Sequence, residues 1–127
     1  MDSRAAAPSA TLGFLSCIWS FISFAAPAER GATLLQLGVL AAETGQYAEA
    51  RDWLEQARAA LQDSDSDTSR SALAYVHMYL GSVATSLSET EVALAELDRA
   101  QAIVATLDPE PRRQAHLLIY QGQALRA

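Results

Sequence analysis

The side chains in this sequence that could bind a metal, move a proton or attack a carbonyl are few and scattered. His77 and His116 are its two histidines. An imidazole can ligate a metal or exchange a proton near neutral pH. Neither has a carboxylate or thiol at metal-ligand spacing, so each is read as a structural or surface-facing histidine. Asp63-x-Asp65-x-Asp67 has the opening spacing of a calcium loop. Such a loop needs glycine at its sixth place and an acid at its twelfth, and those places hold Thr68 and Ala74. The run is therefore a solvated linker whose Asp67 or Thr68 caps the next helix. The single cysteine, Cys17, excludes an internal disulfide and a cysteine-based zinc site. No Ser-His-acid order, Cys-His pair, phosphate loop or paired-carboxylate motif is present, so the expectation is no enzyme, no cofactor and no metal.

Composition points the same way. The chain has 127 residues, half of them apolar, enough for one small domain with a packed core. Its net charge is −6, with nine arginines, no lysine and no asparagine. Nucleic acid is not an expected partner, because no basic patch offsets the acidic balance. About a fifth of the residues are alanine, which favours helix because alanine loses no side-chain entropy there. The bias suits a GC-rich bacterial genome.

The elements that carry these residues follow from a pattern that occurs twice, 43 residues apart. Leu34-x2-Leu37-Gly38-x2-Ala41 precedes Ala50-x3-Leu54-x2-Ala57; His77-x2-Leu80-Gly81-x2-Ala84 precedes Ala93-x3-Leu97-x2-Ala100. A third copy begins with Leu118, Gly122 and Leu125. The 3-and-4 spacing of apolar residues is the helical period. Helices are predicted from Pro27 or Gly31 to Thr44, Tyr47 to Gln62, Asp67 or Thr68 to Ser86, Glu89 to Thr106, and from Pro109 to the C-terminus. Gly45 and the Ser88-Glu89 step break them. Asp108 is expected to cap the last, with Glu110 in its first turn and Arg112-Arg113 solvated. Two antiparallel helices approach closely only where side chains are small. Gly38 with Ala50 and Ala57, and Gly81 with Ala93 and Ala100, are the predicted contacts.

The Leu-Gly pairs at 37–38 and 80–81, the Gly45-Gln46-Tyr47 turn and the two Ala-x3-Leu-x2-Ala sets resemble the tetratricopeptide repeat family, in the longer-helix form of bacterial regulators. The resemblance covers Ala32 to Arg126. It implies an all-α fold: antiparallel hairpins stacked as a short right-handed solenoid, two hairpins plus a half-repeat helix. It also implies an interaction scaffold whose peptide lies in the groove lined by first helices. Transferred position by position, that groove is Leu35, Val39 and Glu43, then Tyr75, Met78, Ser82 and Ser86, then His116, Ile119 and Gln123. A clamp for a terminal carboxylate is not expected, since such clamps use clustered Lys, Arg and Asn.

Residues 1–28 differ from residues 29–127, which form the predicted repeat domain. The charge-free apolar stretch from Leu12 to Phe24, ending in Ala26-Pro27-Ala28, describes a secretory signal peptide. Two other readings stand beside it: an uncleaved membrane anchor over residues 11–26, or a hydrophobic helix packed on the first repeat. The first makes the protein periplasmic or secreted and the last cytoplasmic. The leading expectation is a non-enzymatic scaffold for a protein or peptide partner. The alternative is a sensory segment of a larger transcription regulator or membrane signalling protein. Apolar residues of the last helix suggest a homodimer through that helix.

Overall fold

The computed structural model describes residues 26–126. Five helices follow one another: α1 Pro27–Glu43, α2 Tyr47–Leu61, α3 Asp67–Ser86, α4 Thr90–Val104 and α5 Pro111–Arg126. Among the described residues there is no strand. The helices pack in adjacent pairs, α1 with α2 and α3 with α4; the first helices α1, α3 and α5 also pack in succession. The signal-peptide, anchor and packed-helix readings of the N-terminal segment fall outside the described residues, save that Ala26 precedes α1 and Pro27 and Ala28 lie in its first turn. No described helix is long and apolar enough to cross a membrane.

The pairing rests on the repeated glycines. A Cβ placed on Gly38 would sit 2.7 Å from Leu54 Cγ, and one on Gly81 would sit 2.8 Å from Leu97 Cγ. Backbone carbonyls of Ala50 and Ala93 lie just behind, at 3.5 and 3.3 Å. The leucine of each second helix therefore occupies the socket its partner's glycine leaves. Gly31 receives Leu61 in the same way, a third socket outside the two recurring motifs. Ala50, Ala57, Ala93 and Ala100 are all fully buried at these crossings. Two apolar clusters result. One centres on Leu34, Leu54, Leu61 and Val76, with Tyr47 and Trp53 packed against it; the other centres on Ala74, Met78, Leu97, Val104 and Leu117.

The turns within the two hairpins share one geometry. After α1, Gln46 N–H donates to Ala41 C=O and Gly45 N–H to Ala42 C=O, with Gly45 at φ +82°. After α3, Glu89 N–H donates to Ala84 C=O and Ser88 N–H to Thr85 C=O, with Ser88 at φ +63°. Both are the paired closure that satisfies a helix's last carbonyls around one left-handed residue. The second hairpin makes it with a serine, whose Cβ strains that conformation.

Two helix starts differ from expectation. Ser66, not Asp67 or Thr68, caps α3: its Oγ accepts from Ser69 N–H at 3.1 Å. A serine bonds the third amide beyond it most easily, and Asp67 is left in the first turn, where its charge favours the helix dipole. The last helix starts at Pro111 instead of Pro109. A proline disfavours helical geometry in the residue before it, so Pro111 holds Glu110 out of the helix. Asp108 then contributes a backbone carbonyl, which accepts from Arg113, in place of a cap. Arg113 is accordingly buried rather than solvated, while Arg112 remains exposed.

Two substitutions test this packing by chemical denaturation. Gly81→Leu should destabilise the protein by about 1–3 kcal/mol, because the added side chain meets Leu97 inside a filled crossing. Ser88→Gly should stabilise it by roughly 1 kcal/mol, the cost of a left-handed Cβ that glycine does not have.

Candidate functional site

First helices lie side by side, and the residues two and six places before each repeated glycine face the same way. In α3 these are Tyr79 and Tyr75, before Gly81; in α5 they are Tyr120 and His116, before Gly122. The rings meet across the helix boundary and along α5. Tyr75 stands edge-on to His116 with centroids 5.7 Å apart, Tyr79 and Tyr120 are 5.6 Å apart, and His116 stacks on Tyr120 at 6.3 Å. Beside this ladder lies an open hollow of about 340 Å³. Leu35, Gln36 and Val39 of α1, Ser71, Tyr75 and Tyr79 of α3, and Glu110, Arg112 and His116 around the start of α5 line it.

Of the residues transferred from the family pattern, Leu35, Val39, Tyr75 and His116 line this hollow. Glu43, Ser86, Ile119 and Gln123 are exposed and Ser82 half-buried on the same helices, outside the hollow's lining. Met78 requires a correction. It is 0% exposed, packed in the second apolar cluster beneath the surface, so no ligand on that surface touches it. The cause is helical phase. One residue turns an α-helix by about 100°, so position 78 enters the core where position 79 enters the groove. Gln36, Ser71, Tyr79, Tyr120, Glu110 and Arg112 were missed. The signal available was the aromatic recurrence at fixed offsets from Gly81 and Gly122.

The ladder is apolar enough to hold the Tyr75 and Tyr120 phenols neutral. Burial, then the Tyr79 hydroxyl and the charges of Tyr79 and Glu43, push the Tyr120 phenol far above its ordinary value. Burial and the Glu110 charge raise Tyr75 against opposing arginines 113 and 112. A neutral phenol donates one hydrogen bond and offers an aromatic face. Arg113 anchors the floor of this region from below: it donates to Ser71 Oγ at 3.2 Å and to Asp108 C=O at 2.6 Å, tying α5 to α3.

The other side of the array carries a polar hollow of about 430 Å³, lined by Glu55, Arg58, Gln62, His77, Glu96 and Arg99. His77 and His116 therefore face different hollows. His77 Nδ1 lies 2.7 Å from Glu96 Oε1, both side chains buried, and Arg99 reaches Glu96 Oε2 at 3.2 Å. Arg58 is held by Glu55 at 2.7 Å and by Gln62 at 2.9 Å. These charges satisfy one another, and no hydroxyl or thiol lines the hollow that His77 could activate. Among the described residues no group of three or more His, Cys, Asp or Glu side chains could hold a metal ion. Comparison with family models, with curated proteins and with solved structures finds no match. The functional reading rests on this geometry.

Burial alone would raise the Glu96 carboxyl; the hydrogen bond and charge of His77, with Arg99, outweigh it and hold it below the ordinary 4.5. A depressed carboxylate contributes stability that is present above its unfolded pKa and lost as pH falls through the folded one. Thermal stability should therefore drop as pH is lowered below about 4.5. Glu96→Gln should make that acid-side drop smaller than in the native chain when melting is followed from pH 6 to pH 3.

Proposed function

We propose that this chain is a non-enzymatic interaction module of the tetratricopeptide type that takes an extended peptide segment along the groove between α1, α3 and α5. The ladder of Tyr75, Tyr79, His116 and Tyr120 beside Leu35 and Val39 carries the reading. An open groove with aromatic faces, aliphatic walls and neutral hydroxyl donors suits a peptide that presents apolar side chains and backbone carbonyls. Glu110 and Arg112 on the rim give the peptide ends opposite charges to meet. The self-paired charges on the opposite side support no comparable ligand. The compartment follows from the fate of residues 1–28: a mature N-terminus at Glu29 marks export, and an intact Met1 marks the cytoplasmic reading.

The measurement is selection from a peptide library followed by binding to the full chain in fluorescence polarisation. Tyr79→Ala and His116→Ala should each weaken the selected peptides by about tenfold, the size of a 1.4 kcal/mol anchor. Tyr47→Ala, outside the hollow, should change nothing. Unaltered affinity in both groove variants would reject the assignment.

A further inference from the structure

The hollow between α1, α3 and α5 is richer in hydrogen-bond donors than in acceptors. Ser71 Oγ accepts from the buried Arg113. An arginine can only donate, so the Ser71 hydroxyl keeps its own hydrogen to give. Burial holds the Tyr75 phenol neutral, and its proton is there to donate as well. Arg112 also only donates, and it pairs with no acid among the described residues. Among the lining side chains Glu110 alone is a carboxylate, and Arg113 already approaches it at 3.7 Å. A ligand there meets donors and must supply acceptors.

That balance selects among extended peptides. An ordinary residue brings one carbonyl and one N–H. A strand-like peptide satisfies its N–H groups on a sheet edge, and among the described residues there is no strand. Proline has no N–H, so a proline run brings carbonyls alone. Its rings pack on aromatic faces, which Tyr75, Tyr79 and His116 supply beside Leu35 and Val39. The hollow is also short. Ser71, Tyr75 and Tyr79 follow at one-turn spacing along α3 and span about 12 Å, the length of about four residues of polyproline helix. So few residues make few contacts, and a flexible peptide would lose much of their gain to ordering. A proline run is extended before it binds and loses less.

We propose that the groove takes a proline-rich segment of another protein in polyproline form, flanked by an acidic residue that meets Arg112. This rests on the groove reading and adds which peptide the groove holds. The flanking carboxylate answers the one rim charge that the chain leaves unpaired. The prolines lie on the ring faces, and their carbonyls accept from the Ser71 and Tyr75 hydroxyls.

The probe is a fluorescent hexaproline peptide with a glutamate at one end, made once with the glutamate leading and once with it trailing. Each is titrated with the full chain in fluorescence polarisation. One of the two should bind about tenfold tighter than the same peptide with alternating valine and threonine in place of proline. Lysine in place of glutamate should weaken it by about tenfold, and Arg112→Glu, at an exposed position, should reverse that preference. Tyr75→Phe keeps the ring, removes the proton and should weaken binding severalfold. Failure of both proline probes to bind overturns the proposal, as does a valine-threonine peptide that binds as tightly. A charge preference unchanged in Arg112→Glu, or probe binding that survives both Tyr79→Ala and His116→Ala, overturns it too. The groove reading fails separately. Library-selected peptides that need those rings but contain no proline leave it standing and overturn only the proline assignment; selected peptides indifferent to both rings overturn the two together.

Discussion

The close crossing of paired helices at a glycine carries this structure. Leu54 and Leu97 reach into the space where a Cβ on Gly38 or Gly81 would stand. Such a contact gains dispersion along the whole leucine and excludes water from both backbones. It also sets the register of each hairpin, because sliding by about one turn would put Leu35 or Met78 where the glycine is. With register set, the two faces of each first helix are assigned. One goes to the partner helix, and the other lies along the row of first helices, where the aromatic ladder forms.

How much of this was legible in the sequence depended on what kind of contact carried it. The glycine sockets, the helix spans and the turn at Gly45 were readable because each is local or repeats at a fixed interval. The groove was half readable. Tyr75 and His116 were placed on it by transfer of the family's groove positions, and both sit six residues before a glycine. Met78 was misplaced because one position decides between core and groove on a helix that is apolar nearly all round. Arg113 was misread for another reason: two arginines in a first turn look solvated. Its burial depends on Ser71, 42 residues away, and on the backbone of Asp108. The His77–Glu96 pair lay equally out of sight, since the two residues belong to different helices.

That pair gains meaning from the repeat. His77 stands at the register of Leu34, and Glu96 at the register of Trp53. Leu34 is buried and Trp53 packs on the same apolar cluster. The first hairpin therefore joins its helices there with hydrocarbon, and the second joins them with a hydrogen-bonded imidazole and carboxylate. Buried polar pairs add little net stability against an apolar pair of like size. They do penalise the wrong partner, because a misplaced Glu96 would lose both His77 and Arg99 inside an apolar contact. Two hairpins with nearly the same glycine sockets are thereby made non-interchangeable. The choice of which α-helix pairs with which is settled by chemistry that the glycines cannot distinguish.

The two sides of the array differ for a connected reason. Between the second helices the charged groups answer one another: Glu55 with Arg58, Glu96 with Arg99 and His77. Between the first helices the ladder carries no charge, and the nearest ones, Glu110 and Arg112, stand at the rim. A charge set into the ladder would have to be desolvated beside three phenols and an imidazole, at a cost no neighbour there offsets. Neutral rings avoid that cost and leave the groove wettable through their hydroxyls. The side with satisfied charges has little left to offer a ligand. The side with the aromatic ladder joins α3 to α5 through ring contacts and still turns part of that surface toward the groove.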